Sequence, residues 1–217
     1  MDTIGGIYYN TGKFDLAEKT WKDALKLKLD YAHANINFGL ATLMAIKGEF
    51  EKAIEYTENA LEIYPEKPDY HNQKGFFLLR SGKNMEAISN FSIALKNNPH
   101  HYKSLINIGM AFNAIGYHRK AFWYLNKAHH IDKTDILPIL CLIQISSQLG
   151  DNNNSDEWAR KLFALIDHSE ISSVIKELSN SYLTVPVSFE QITPVILRQF
   201  SLEKQVLTNA ERDLTSD

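Results

Sequence analysis

The stretch Gly48-Glu49-Phe50-Glu51-Lys52-Ala53-Ile54, running on to Ala60-Leu61-Glu62-Ile63-Tyr64-Pro65, decides how this chain is read. Phe50, Ala53, Ile54, Thr57, Ala60 and Leu61 recur at three- and four-residue steps, which puts them on one apolar stripe of a helix. Gly48 stands ahead of the stripe, where a glycine ends the preceding helix with a positive φ that other residues resist. Pro65 stands behind it and stops the helix at Tyr64. Glu51, Glu55 and Glu58 fall off the stripe and solvate the exposed side, so they do not read as an acid/base pair.

The same punctuation recurs along the chain. Gly12, Gly48, Gly82 and Gly116 are spaced by 36, 34 and 34 residues, and Gly150 follows after another 34. Five residues past each of the first four stands an alanine (Ala17, Ala53, Ala87, Ala121), and seven further on a second (Ala24, Ala60, Ala94, Ala128). Gly5, Gly39, Gly75 and Gly109 precede the turn glycines by seven residues, except in the second unit, where the gap is nine. Pro65 and Pro99 mark boundaries ten residues ahead of Gly75 and Gly109. Small residues such as Gly75 and Ala87 let two helices approach closely, so a period of this length predicts a helical hairpin repeated along the chain.

Composition agrees. Of 217 residues, 44% are hydrophobic and 23% charged, which sets aside disordered, collagenous and membrane classes. Cys141 is the single cysteine, so a disulfide-stapled secreted scaffold is excluded. The amino terminus has no basic stretch leading into an apolar core and does not read as a signal peptide. The longest nearly pure apolar run, residues 136–145, is half of the roughly 20 residues a membrane span needs. The chain is expected to be cytoplasmic, or a soluble domain of a larger, membrane-attached protein, with no membrane insertion of its own.

Asp30-Tyr31-Ala32-His33-Ala34-Asn35-Ile36-Asn37-Phe38-Gly39 and the stretch from Gly48 to Pro65 resemble the tetratricopeptide repeat family, in a bacterial-type array. The resemblance implies an all-α fold, a right-handed α-solenoid of helix-turn-helix repeats with carboxy-terminal capping helices. It divides the chain into four repeats over 1–133, a degenerate fifth over 134–167, capping helices over 168–203 and a polar tail over 204–217. Departures from the pattern are the two extra residues between Gly39 and Gly48, Lys74 and His129 in place of leucines, and Asp151 to Ser155, which reads as an insertion before a helix. Met1 falls inside the first helix, and Ile4, Ile7 and Tyr8 stand where a polar cap is expected. That edge suggests a fragment of a longer protein, and a place where copies could associate. Near the other end, Ser188 with Gln191 forms a capping box, and Phe189, Ile192, Ile196 and Phe200 share a face expected to dock on the last repeat.

Chemistry is harder to find. The pairs His100-His101 and His129-His130 point about 100° apart on a helix and cannot chelate one ion, so the eight histidines read as surface residues and no metal or other cofactor is expected. No nucleophile elbow, P-loop or dinucleotide fingerprint occurs, and Cys141 reads as a buried, inert thiol; an enzyme is not expected. Charge is segmented. Residues 1–66 hold 7 Lys/Arg against 11 Asp/Glu, residues 67–133 hold 10 against 3, and residues 134–217 hold 6 against 12, giving −4, +7 and −6. The basic centre includes Lys74, Arg80, Lys83, Lys96, Lys103, Arg119, Lys120 and Lys127, with Tyr102, Phe122, Trp123 and Tyr124 interleaved. Nucleic acid is not the expected partner, because no arginine cluster occurs and Trp123 and Tyr124 lie on a second helix, whose aromatics fill the core of this repeat.

The resemblance also implies a binding surface, since first helices line the concave groove in this family. Carried through the glycine register, the groove residues are Ile36 and Leu40, then Asp69, Asn72, Phe76 and Arg80. The fourth repeat gives Lys103, Ile106, Met110 and Asn113, and the fifth Leu140 and Gln144. Apolar anchors, amide groups and the cations Arg80 and Lys103 together suit an acidic protein or peptide segment. The two-carboxylate clamp by which one subclass holds chaperone tails is not assembled: Asn37, Asn107 and Lys103 match, but its opening pair falls on Ile36 and Leu40, Asp2 and Gly6, or Asn72 and Phe76. The expected function is a non-enzymatic scaffold that binds an extended or helical peptide. The alternative is the carboxy-terminal accessory region of a larger enzyme such as a membrane glycosyltransferase.

Overall fold

The computed structural model describes residues 2–27, 30–166, 192–199 and 201, all of them in helices or the turns between them. The helices pair in chain order: α1 (Asp2–Asn10) with α2 (Phe14–Leu25), α3 (Asp30–Ile46) with α4 (Phe50–Ile63), and α5 (Pro68–Arg80) with α6 (Asn84–Asn97). They continue as α7 (Tyr102–Ala114) with α8 (His118–Ile131) and α9 (Ile136–Gln148) with α10 (Asn152–Phe163). A further helix, α11, covers residues 192–199. The chain forms two compact units, Met1–Ile108 and Gly109–Asp217.

One turn is used five times. At Gly82 the backbone takes φ +77°, which lets Gly82 N–H bond Leu79 O at 3.0 Å and Lys83 N–H bond Leu78 O at 2.8 Å. Two orphan carbonyls of α5 are thereby satisfied, and the chain reverses into α6. Gly12, Gly48, Gly116 and Gly150 take φ between 71° and 80°, and the residue after each donates to the carbonyl five positions upstream of it at 2.8–2.9 Å. The two extra residues of the second unit are absorbed in α3, which has 17 residues where α5, α7 and α9 have 13.

The recurrent alanines are core. Ala17, Ala53, Ala60, Ala87 and Ala94 in the first unit, and Ala121 and Ala128 in the second, are fully buried. The upstream glycines complete the close approach: a Cβ on Gly75 would lie 2.6 Å from Phe91, and one on Gly109 would lie 2.7 Å from Leu125. Trp21 plays this part twice, with its indole over both Gly5 and Gly39. Glu18 ties α2 to α3, bonding Lys22 and Lys47 at 2.6 Å each, and these two cations hold its carboxyl below the usual range.

In the second unit α9 is apolar nearly all round, and residues Pro138 to Ser146 are buried, as expected of a helix with no polar face. Asp151 to Ser155 is not an insertion. Asp151 caps α10 by accepting the Asn154 N–H at 3.1 Å, so Asn152 to Ser155 form its first turn. In α11 the buried residues are Ile192, Val195 and Gln199, and Arg198 forms an ion pair with Asp156 of α10. That face is displaced from the expected Phe189, Ile192, Ile196, Phe200 stripe; Phe189, Phe200, the Ser188–Gln191 capping box, the rest of the capping helices expected over 168–203 apart from 192–199 and 201, and the tail over 204–217 lie outside the described residues.

Candidate functional site

The first helices of the Met1–Ile108 unit carry side chains at one-repeat spacing, and these meet. From α3 to α5, Tyr70 OH donates to Asn35 Oδ1 at 3.1 Å and Gln73 Nε2 donates to Thr42 Oγ1 at 2.6 Å. From α5 to α7, Asn72 Oδ1 accepts from both Ser104 Oγ and Asn107 Nδ2 at 3.0 Å. A ring nitrogen of His101 lies 2.7 Å from Ser104 Oγ and the other 3.3 Å from Asp69 Oδ1. With its oxygen used twice, Asn72 keeps its amide N–H groups for another acceptor.

The residues expected to line the groove separate by burial. Ile36, Leu40, Ile106, Met110, Leu140 and Gln144 are buried, so they offer a ligand little surface. Asn72, Phe76 and Asn113 are half-buried, and Asn113 Oδ1 lies 2.8 Å from a ring nitrogen of His118. Asp69, Arg80 and Lys103 are exposed. The accessible set is therefore the stripe Asp69, Asn72, Phe76 and Arg80 along α5, with Lys103 on α7. Among the described residues Arg80 and Lys103 have no carboxylate partner, and the Arg80 guanidinium lies 5.3 Å from the Phe50 ring centroid.

The basic centre is not a row of free cations. Lys74 bonds Glu58 at 2.8 Å, Lys120 lies over Phe112 and Tyr117, and Lys127 lies 4.3 Å from the ring centroid of Trp123. Trp123, expected in the core, is 53% exposed; its outward direction on α8 lets Lys127 cover it one turn later. The histidines also depart from expectation at one position. His129 is buried, its ring perpendicular to that of Trp158 with centroids 5.0 Å apart, because it occupies a leucine's place in the repeat. Burial is the main reason its pKa is lowered, and Lys161 lowers it further.

Cys141 is buried, which pushes its thiol up to about 12. Among the described residues no cluster of His, Cys, Asp or Glu could hold a metal, and no helix is long and apolar enough to cross a membrane. Sequence reading passed over Ser104, His101, Gln73 and Thr42. The signal that finds them is spacing: these bonds link residues 31–35 apart, one repeat.

Paired helices, a left-handed glycine at each turn and polar side chains meeting one repeat apart define a helical-hairpin repeat protein. The tetratricopeptide repeat family model matches residues 4–68, and the later hairpins are similar to that repeat in their turns and spacing. The fold is the all-α hairpin array of that class, as in the type IV pilus biogenesis factor PilW, with a TM-score of 0.71 at 18% identity over 96% of this chain and 91% of PilW. It is likewise similar to YrrB, described as a tetratricopeptide-repeat protein with an unusual peptide-binding site, with a TM-score of 0.63 at 16% identity over 80% of this chain and 89% of YrrB. In sequence the chain is similar to the peroxisomal targeting signal receptor of Kluyveromyces lactis, 24% identical over 164 residues, 75% of this chain and 28% of the receptor. The chain thus spans about a quarter of the length of the curated relatives it matches.

Proposed function

We propose that this chain is a protein-interaction scaffold that receives an extended or helical peptide segment of acidic character along the first-helix face of its Met1–Ile108 unit. The observation that carries this reading is the α5 stripe. There the amide N–H groups of Asn72, the half-buried ring of Phe76 and the guanidinium of Arg80, without a carboxylate partner among the described residues, follow one another at three- and four-residue steps, and Lys103 stands exposed on α7. Amide donors suit a peptide backbone, the ring suits an apolar side chain, and the cations suit a carboxylate. A relative that is a receptor for a targeting signal, and a structural neighbour with a peptide-binding site, support a peptide as the ligand class.

The test is a peptide-display selection against the chain, followed by calorimetric titration of the enriched peptide. The selected sequences are expected to contain Asp or Glu beside an apolar residue. Phe76→Ala with Arg80→Ala is expected to weaken binding by about tenfold or more. Enrichment of basic peptides, or unchanged affinity in the double variant, overturns the reading.

A further inference from the structure

The second helices of the Gly109–Asp217 unit border an open cleft of about 590 Å³ between α8 and α10, a volume in the range of small-ligand sites. Two aromatic rings, Phe122 and Trp158, meet there edge to face at 6.4 Å. His129, His130, Lys133 and Lys161 line the rest of its polar wall. Glu157 is the one carboxylate among the described lining residues, and Lys161 engages it at 2.8 Å while standing 3.8 Å from the ring centroid of Trp158. Lys133 has no carboxylate partner among the described residues, so the described lining carries an excess of positive charge.

His129 supplies an independent observation. It is 9% exposed, it lines the cleft, and its buried Nδ1 has no hydrogen-bond partner among the described residues. An unpaired buried ring nitrogen costs free energy that a leucine at this position would not. The cleft between α4 and α6 in the other unit provides the contrast. It holds about 260 Å³, Lys74 in its lining pairs with Glu58, and its two lysines are equalled in number by two glutamates. The larger volume, aromatic walls and excess of cations thus distinguish the α8/α10 cleft from the α4/α6 cleft.

We propose that this cleft is a second ligand site, for a carboxylate borne on an aromatic or branched aliphatic body. The body lies against the half-buried Phe122, beside the edge of the buried Trp158, and the carboxylate meets Lys133 and Lys161 with the His129 imidazole beneath it. The charged groups around that ring are Lys161 and Glu157 on α10, His130 on α8, and Asp132 and Lys133 in the following turn; α9 contributes only Ile139 to the lining. Burial and Lys161 hold the free imidazole neutral near pH 7, and a bound carboxylate reverses that bias. Ligand affinity therefore rises as pH falls and His129 takes up a proton.

The chemistry fits a free small acid or the carboxylate end of a peptide, and the test separates them. The full chain is titrated with 3-phenylpropionate, 3-phenylpropanol, inorganic phosphate, and a short peptide ending in phenylalanine as free acid or as amide. Binding is followed by calorimetry and by the imidazole resonances of His129. At least one acid is expected to perturb His129 and to bind about fivefold or more tighter at pH 6 than at pH 7.5, and Lys161→Gln is expected to weaken it about tenfold. Lys133→Gln, at an exposed position, serves if the first variant is poorly folded. Binding by 3-phenylpropionate assigns the site to small acids, and binding by the free-acid peptide alone assigns it to peptide ends. Equal binding of the alcohol or the amide, phosphate binding as tightly as 3-phenylpropionate, or no perturbation of His129 by any acid overturns the proposal.

Discussion

The ring of Phe91 occupies the space a side chain at Gly75 would need, with Cε1 2.6 Å from the position of a Cβ. Phe91 is fully buried on α6 and cannot recede without moving its neighbours. Gly75→Ala is therefore expected to destabilise the chain by about 1–3 kcal/mol from overpacking, less the ~1 kcal/mol that alanine gains over glycine within a helix. Gly6→Ala in α1 meets open space, keeps only that gain and is expected to stabilise. Urea unfolding of the two variants checks the opposite signs.

Leu40 and Phe76 occupy equivalent register positions, but the first is fully buried and the second half-buried. Leu40→Ala is expected to cost about 2–5 kcal/mol of stability as a cavity forms in the core. Phe76→Ala is expected to cost less and to act mainly on peptide binding. Thermal unfolding, run beside titration of a selected peptide, distinguishes the two.

Lys74 stands where the repeat carries leucine, and its charge is met by Glu58 at 2.8 Å, with 22% and 52% of the two side chains exposed. An ion pair this open contributes about 0–1 kcal/mol, so Lys74→Leu is expected to leave stability unchanged or slightly raised. A loss of 2 kcal/mol or more, outside that range, measured by denaturant unfolding would contradict it.

His129 makes stability depend on pH in a stated direction. Its folded pKa lies below the ordinary 6.5, so between the two values the unfolded chain binds more protons and stability rises with pH. The contribution is complete above 6.5 and is lost as pH falls toward the folded value. The depressed carboxylates Glu18, Asp132, Asp151 and Glu157 act in a separate window below their ordinary values of 3.8–4.5. The melting temperature is expected to drop between pH 7.5 and 5.5, and His129→Leu to flatten that drop.

Cys141, buried with its thiol pushed up to about 12, is expected to react negligibly with a thiol reagent such as dithionitrobenzoate in the native chain and fully in denaturant. Stoichiometric labelling without denaturant would show that α9 opens readily.

The turn glycines, the paired alanines and the helix order were legible in the sequence because each rests on local geometry. A positive φ or a close helix approach leaves few residues to choose from, and the choice repeats. The candidate groove was legible only in part. Register placed Leu40, Phe76, Ile106 and Met110 alike, yet three of these four are buried, because exposure depends on neighbouring helices that a register does not include. Trp123 and His129 exchanged their expected places, outward and inward, for the same reason.

The sequence by itself therefore determined the repeat: its period, its turns and the alanines and glycines of its hairpins, all set by the backbone and by the nearest side chains. Only the tertiary structure decided which inner-face residues stay open to a ligand, which lysines are paired, and that α8 and α10 bound a cleft over a buried histidine. Those properties arise where side chains far apart in the chain share space and charge, and a periodic pattern carries no record of such meetings.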